Sequence, residues 1–308
     1  MEIYVELSKT QVMVPIFIKK IFKAILPQKV IDLKRELDSK RQIKRRFTKK
    51  KKLSFEVSLV DHCNLNCRSC HAFAPLADEA YYDVQKLEKE FKRISELANG
   101  KIEFVRLLGG EPLLHPDLLE ILDITGKYFE KKRIELITNA ILLDKQSPDF
   151  WESCRKNNVK ICITKYPINL PFEKIEKTGK KHGVEVRYFN LSSNNGVKKM
   201  TKPTINPDGG DPTENFGLCP ISNACTALDN GKIYHCSTIS RIKYFNKYFN
   251  LDLNVCEEDY IDIYNVNSLD EILDFLCKPV PFCKYCDIKK WEYGHDWTVS
   301  KRNISEWI

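Results

Sequence analysis

The chain has 308 residues, enough for one large or two modest domains, and its 43% hydrophobic content is that of a globular protein. Its net charge of +8 is uneven: residues 19–52 carry 15 Lys/Arg against 3 Asp/Glu, which leaves the body slightly acidic and excludes nucleic-acid binding by global charge. Twelve cysteines are not needed as staples in a chain this long, no run is apolar for long enough to span a bilayer, and no signal peptide is visible, so the expectation is a cytoplasmic protein with reduced thiols.

At the start, Val14, Phe17, Ile18, Ile21, Phe22 and Ile25 recur at helical spacing, with Lys19, Lys20 and Lys23 among them. Pro27 interrupts, and Val30 to Arg46 reads as a second helix rich in Lys and Arg. Residues 1–52 are therefore expected to form a basic amphipathic helical arm. One reading packs it on its own domain with solvated lysines. Another lays residues 14–52 on the inner membrane surface, where each Lys or Arg near an anionic leaflet adds roughly 1 kcal/mol. A nucleic-acid arm is a third, but few aromatics are present for bases to stack on.

From residue 53 the pattern alternates. "LSFEVSLV", "IEFVRLL", "RIELIT", "VKICIT" and "VEVRYF" read as strands; "VQKLEKEFKRISELA", the stretch from Pro116 to Tyr128, "PDFWESCRK" and "FEKIEKTGKKH" read as helices. Apolar strands separated by helices predict a parallel α/β sheet over residues 53–190, curved by right-handed crossovers into a barrel or part of one. Residues 191–217, with four glycines and three prolines, read as a linker that covers a substrate. Short elements and a second set of cysteines fill residues 218–308.

The first cysteine set, "CNLNCRSC", follows the first strand directly, where parallel α/β folds carry their active sites. Structural zinc wants four protein ligands and a disulfide two. Three thiolates, Cys63, Cys67 and Cys70, can hold three irons of a [4Fe–4S] cluster and leave the fourth open for a small molecule. The second strand ends in "GGEP". Gly109 and Gly110 would let backbone approach a ligand closely, and Glu111 adds a carboxylate that can meet an ammonium.

These two motifs, in this order and at the ends of adjacent strands, resemble the radical S-adenosylmethionine (SAM) family: Cys63, Cys67 and Cys70 match its CxxxCxxC motif, and Gly109, Gly110, Glu111 and Pro112 match its motif for the methionyl amino group of SAM. The resemblance covers roughly residues 53–190. It implies a partial (βα)6 barrel, SAM chelated by the open iron, and cleavage of SAM to a 5'-deoxyadenosyl radical that takes hydrogen from a substrate. Where the family often has an aromatic before the third cysteine, this chain has Ser69, with His71 and Phe73 following. Asn139, in "LITNA", resembles a SAM-contacting position, and Thr164 holds the equivalent place after the fourth strand; a turn or capping role is the alternative for both. His115, before Pro116, reads as capping or packing.

The second set opens with Cys219, then Gly231 and Cys236, which resembles the start of the SPASM/twitch extension of many radical SAM enzymes. Cys283 and Cys286 follow, and no cysteine comes after them. The resemblance implies the shorter twitch form, a small C-terminal domain with one auxiliary [4Fe–4S] cluster on Cys219, Cys236, Cys283 and Cys286; a four-cysteine zinc site is the alternative. Cys225 either replaces a ligand or is a free thiol that returns a hydrogen atom to a substrate radical. Cys154 and Cys162 read as core residues.

The implied activity is oxidation or epimerisation of a small hydroxylated substrate (a sugar, cyclitol, nucleotide-sugar or lipid-linked glycan precursor), with a flavodoxin or ferredoxin as reductant. A maturase acting on a ribosomal precursor peptide is the alternative, and a non-catalytic iron–sulfur or zinc scaffold a third. Pocket residues are expected in the 191–217 segment and near "WEYGHDW", Trp291 to Trp297, where His295 and Asp296 are either acid–base partners or packing at a domain edge.

Overall fold

The computed structural model describes residues 3–7, 10–14, 37, 40–130, 132–189 and 197–308, the first two segments by backbone alone. The chain divides into two units, residues 1–45 and 46–308.

In the first unit, β1 (Ile3–Leu7) and β2 (Thr10–Val14) pair antiparallel from Ile3↔Val14 to Leu7↔Thr10. The expected helical arm is thus a hairpin over residues 3–14. The reason is local: Ile3, Val5, Thr10, Val12 and Val14 are β-branched and alternate with other residues, a pattern that favours a pleated strand. The helix expected over Phe17–Ile25, and most of the first half of that expected over Val30–Arg46, lie outside the described residues; residues 40–46 are helical.

The second unit is a mixed α/β fold. Strands β3 (Leu53–Val60), β4 (Ile102–Gly109), β5 (Arg133–Thr138), β6 (Val159–Ile163) and β7 (Val186–Tyr188) pair parallel in chain order. Between them run α1 (Val84–Ala98), α2 (Leu118–Phe129), α3 (Pro148–Lys156) and α4 (Phe172–Lys181). The helix starts follow capping chemistry: Asp83 accepts from the Lys86 N–H at 2.7 Å before α1, and Ser147 caps α3 ahead of Pro148.

The C-terminal region extends this sheet on its other side. Strands β9 (Ala227–Asp229), β10 (Lys232–Tyr234) and β11 (Tyr260–Asp262) complete an eight-stranded order β11-β10-β9-β3-β4-β5-β6-β7, with β9 parallel to β3. The stretch whose composition suggests a linker has regular structure in its described part: β8 (Met200–Lys202) and α5 (Pro212–Leu218), opened by Asp211. Strand β8 pairs with β12 (Glu292–His295) in a separate ribbon. Residues 191–196 of that stretch lie outside the described residues.

Side chains alternate across β3. Phe55, Val57 and Leu59 are fully buried in the helix-facing core, where Phe55 meets Phe91 and Phe129 at ring distances of 6.0 and 5.7 Å. The opposite face carries Ser54, Glu56 and Ser58. There Arg106 bridges Glu56 and Glu135 at 2.8 Å each, and Arg187 also pairs with Glu135. A second core gathers Phe73, Phe245, Phe282 and Trp307. No helix of the described residues is long and apolar enough to cross a membrane.

Candidate metal and cofactor site

Strand β3 ends at Val60, and the chain then coils tightly through Cys63, Cys67 and Cys70. Asn66, Ser69 and Phe73 all take positive φ there. Such backbone is costly for residues other than glycine and persists only where surroundings over-determine it. Asp61 anchors the entry through Arg241 and Tyr244. The end of β4 packs directly on this loop: Gly110 N donates to Val60 O at 2.7 Å and Glu111 N to His62 O at 3.2 Å. A Cβ on Gly109 would run into the Val60 carbonyl, and one on Gly110 into the His62 carbonyl. The double glycine is thus required by the approach of the cysteine loop itself, not only by a ligand.

A cavity of about 270 Å³ opens at this end of the strands. Cys63, Cys67, Cys70, Gly109, Gly110, Glu111, Asn139 and Thr164 all line it. Pro112 does not; it opens the short helix Pro112–Leu114 behind the wall. Glu111 is 1% exposed, and neutral donors hold it: Thr138 Oγ1 at 2.6 Å, Leu113 N at 3.2 Å and Asn139 N at 2.9 Å. Burial pushes its carboxyl up to about 7. Asn139 takes the expected turn role, since Oδ1 accepts from Ile141 N, while Nδ2 donates to Asn64 Oδ1 at 2.8 Å beside Cys63. His115 caps, accepting from Asp117 N at 3.1 Å.

Burial lifts the thiols, Cys63 to about 12 and Cys67 to about 11, and raises Cys70 likewise. Buried thiols stay protonated until a metal cation compensates the charge. Among the described residues no three His, Cys, Asp or Glu side chains converge on a single ion position. Three cysteines lining one cavity fit a cluster in which each would bind its own iron.

The second cysteine set converges elsewhere. Cys219 ends α5, Cys236 precedes α6 (Ser237–Phe249), and Cys283 and Cys286 lie in and just after the turn Pro281–Tyr285. All four line one small cavity of about 30 Å³, and burial raises every one of their thiols. His235 and Trp291 line the same cavity, and the indole Nε1 of Trp291 is a buried donor without a hydrogen-bond partner. Buried orphan donors are costly. Four thiolates suit either zinc or an iron–sulfur cluster, and a cluster would add inorganic sulfides as further acceptors for the indole N–H. Cys225 lines neither cavity; it sits toward Glu56, Arg106 and Lys50, and burial lifts its thiol to about 12.

Cys154 and Cys162 are fully buried, as their positions suggest, although Cys162 Sγ also accepts from Arg187 Nε at 3.1 Å. His295 and Asp296 are exposed in a side recess with Arg68 and Lys202, paired with Glu292 and Lys199. The main cavity also takes residues with no sequence motif: His71, Tyr166, Lys198, Met200 and Thr201. The last three fall in the 191–217 stretch expected to supply pocket residues. Burial, and secondarily Lys198, lowers His71 to about 4, so its imidazole is neutral.

A sequence model of the Radical SAM superfamily matches residues 57–183. A GTP 3',8-cyclase of Clostridium botulinum is 31% identical over 104 residues, 34% of this chain and 31% of that protein. A GTP 3',8-cyclase of Synechocystis sp. is 40% identical over 99 residues, 32% of this chain and 29% of that protein. The chain thus spans about a third of the length of these curated relatives. Among solved structures, BtrN in complex with AdoMet and 2-DOIA aligns with 78% of this chain and 94% of its own, at 15% identity and a TM-score of 0.48. The cysteine loop, the double glycine and the strands that carry them are those of a radical SAM domain, which occupies residues 57–183 of this chain.

Proposed function

We propose that this chain is a radical SAM enzyme that abstracts hydrogen from a small hydroxylated substrate and oxidises or epimerises it. One observation carries the reading: Cys63, Cys67, Cys70, Gly109, Gly110, Glu111, Asn139 and Thr164, spread over four strand ends, line one cavity. Cys63, Cys67 and Cys70 would hold a [4Fe–4S] cluster. When bound, that cluster supplies the electron that cleaves SAM to methionine and a 5'-deoxyadenosyl radical, with a flavodoxin or ferredoxin as reductant.

The chain's own residues do the rest. Glu111 receives the amino group of SAM, and its fixed hydrogen bonds to Thr138 and Asn139 orient it for that contact. Met200 and Thr201 of β8 also line the cavity and add to the wall that would exclude water. The parallel strands form the wall of a partial barrel around the substrate. Cys219, Cys236, Cys283 and Cys286 would hold an auxiliary cluster with all four positions filled, suited to receive an electron. Cys225 lines neither cavity.

GTP 3',8-cyclases, each similar to about a third of the chain, act on GTP by their name, a hydroxylated nucleotide, and this supports the substrate class. A second reading, a maturase of a ribosomal peptide, is favoured by the hairpin β1–β2, whose edges could accept an added peptide strand.

The test is anaerobic reconstitution of the full chain. About seven to eight irons per chain are expected, and dithionite with SAM should release 5'-deoxyadenosine. Cys63→Ala should abolish that release. A wild-type protein that takes up only zinc, or leaves SAM intact, overturns the proposal.

A further inference from the structure

We infer that Trp297, with Tyr166, is a positioning residue that sets the reduction potential of the first cluster through hydrogen bonds to the Cys67 sulfur. This rests on the reading of Cys63, Cys67 and Cys70 as ligands of that cluster.

The three sulfurs are not equivalent. Cys63 Sγ receives Leu65 N at 3.5 Å and a long contact from Asn139 Nδ2 at 3.8 Å. Cys70 is met by backbone N–H groups of its own loop, at Ala72, Phe73 and Ala74. Cys67 receives two side-chain donors from distant elements: Trp297 Nε1 at 3.1 Å and the Tyr166 hydroxyl. The Lys198 ammonium also acts on it through space. Two neutral donors and one cation thus turn positive ends towards one buried sulfur.

Nothing in the packing alone requires an indole N–H at this point, yet the chain holds it there firmly. The segment after Trp297 is laced to the cysteine loop. Arg68 N donates to Thr298 O at 2.9 Å, Ser300 N to Asn66 O at 2.8 Å, and Val299 bridges Cys67. Further on, Ser69 Oγ donates to Glu306 O at 2.8 Å and Trp307 Nε1 to Cys70 O at 2.9 Å. The Tyr166 and Trp297 rings lie 6.0 Å apart, so the two donors support each other.

The physical consequence has a definite sign. Reduction adds an electron to the cluster and makes its sulfurs more negative. Donors to a ligand sulfur stabilise the reduced state more than the oxidised one, and at a sulfur as buried as that of Cys67 the preference is weakly screened. Removing either donor therefore moves the midpoint to more negative potential.

The test is an anaerobic redox titration of the full reconstituted chain followed by electron paramagnetic resonance. The reduced signal that changes on adding SAM identifies the first site. Trp297→Phe keeps an aromatic ring and deletes the N–H; Tyr166→Phe deletes only the hydroxyl. Each variant should lower the ratio of reduced to oxidised cluster at the wild-type midpoint by roughly threefold to tenfold, about 30 to 60 mV for one electron. Iron content should stay at the wild-type value, which a merely structural role would not predict together with a shifted midpoint. If a SAM-responsive signal is present and neither variant moves its midpoint, the inference is overturned while the enzyme reading stands. If the wild-type chain shows no SAM-responsive signal, the enzyme reading itself fails.

Discussion

Glu111 carries a contradiction that a ligand would resolve. Its two oxygens accept only neutral donors, it is buried, and its carboxyl sits near pH 7. Since the folded value lies above the ordinary one, the folded protein holds a proton near pH 5–7 that the unfolded chain releases. The stabilising contribution is full below about pH 4.5 and is lost as pH rises through 7. An N–H of the SAM amino group donating to the carboxylate would offset that penalty. SAM affinity, measured by anaerobic equilibrium dialysis, should therefore rise by up to about tenfold per pH unit from 5.5 towards 7 and level off above it. Glu111→Gln should flatten this slope and weaken binding by about 1.5–3 kcal/mol, the range for a hydrogen bond to a charged group. A pH-independent affinity in the wild type would exclude the contact. The same residue-level logic separates the two metal sites. Cys283→Ala should remove about four irons per chain and leave SAM cleavage intact while substrate turnover stops. If zinc occupies that site in the wild type, iron content will not change, and the auxiliary-cluster reading fails.

At the level of elements, the polar face of the central strands is a structural investment of its own. Arg106 of β4 bridges Glu56 of β3 and Glu135 of β5, residues that stand in register on adjacent strands. Glu135 keeps Arg133 and Arg187 if Arg106 is removed, but among the described residues no other ion pair reaches Glu56. Arg106→Met should cost about 3–5 kcal/mol at pH 7.5, because a buried carboxylate is left uncompensated. Burial already raises Glu56, and losing the guanidinium raises it further, so the cost should shrink at pH 5.5 as the carboxyl takes a proton. Urea unfolding at the two pH values checks this, and an equal loss at both would refute it. This row also shows what the sequence could and could not convey. The five parallel strands and four helices were legible because each is a local pattern, and the cavity cysteines and glycines because they sit at strand ends. The alternation Ser54, Glu56, Ser58 against Phe55, Val57, Leu59 was also readable, but the charged partners lie 50 and 79 residues away and are invisible to any local period. The hairpin at residues 3–14 was hidden by a helical spacing that begins at Val14. Strands β9 to β11 are three residues each, too short for periodicity to announce that they extend the same sheet.

On the scale of the whole second unit, the chain closes on itself. Its last residues return to the first cysteine loop across more than 230 positions, through Ser69 to Glu306 and Cys70 to Trp307. Trp307 is fully buried and packs on Phe73, Phe245 and Phe249, so one side chain joins the cysteine loop, α6 and the C-terminus. Phe73 itself sits three residues after Cys70 in a positive-φ conformation that depends on this packing. Trp307→Ala should therefore do two things at once. Deleting a buried indole costs about 3–5 kcal/mol of stability, and freeing the Cys70 carbonyl and Phe73 loosens the loop that positions three thiols. Since residues 46–308 form one compact unit, the loss should appear as a single unfolding transition at lower urea. Iron should be lost from the first site before that transition, seen as a fall in the SAM-responsive resonance signal at urea concentrations where circular dichroism is still native. If signal and circular dichroism fall together, the tail supports the fold as a whole and gives the cysteine loop no separate restraint.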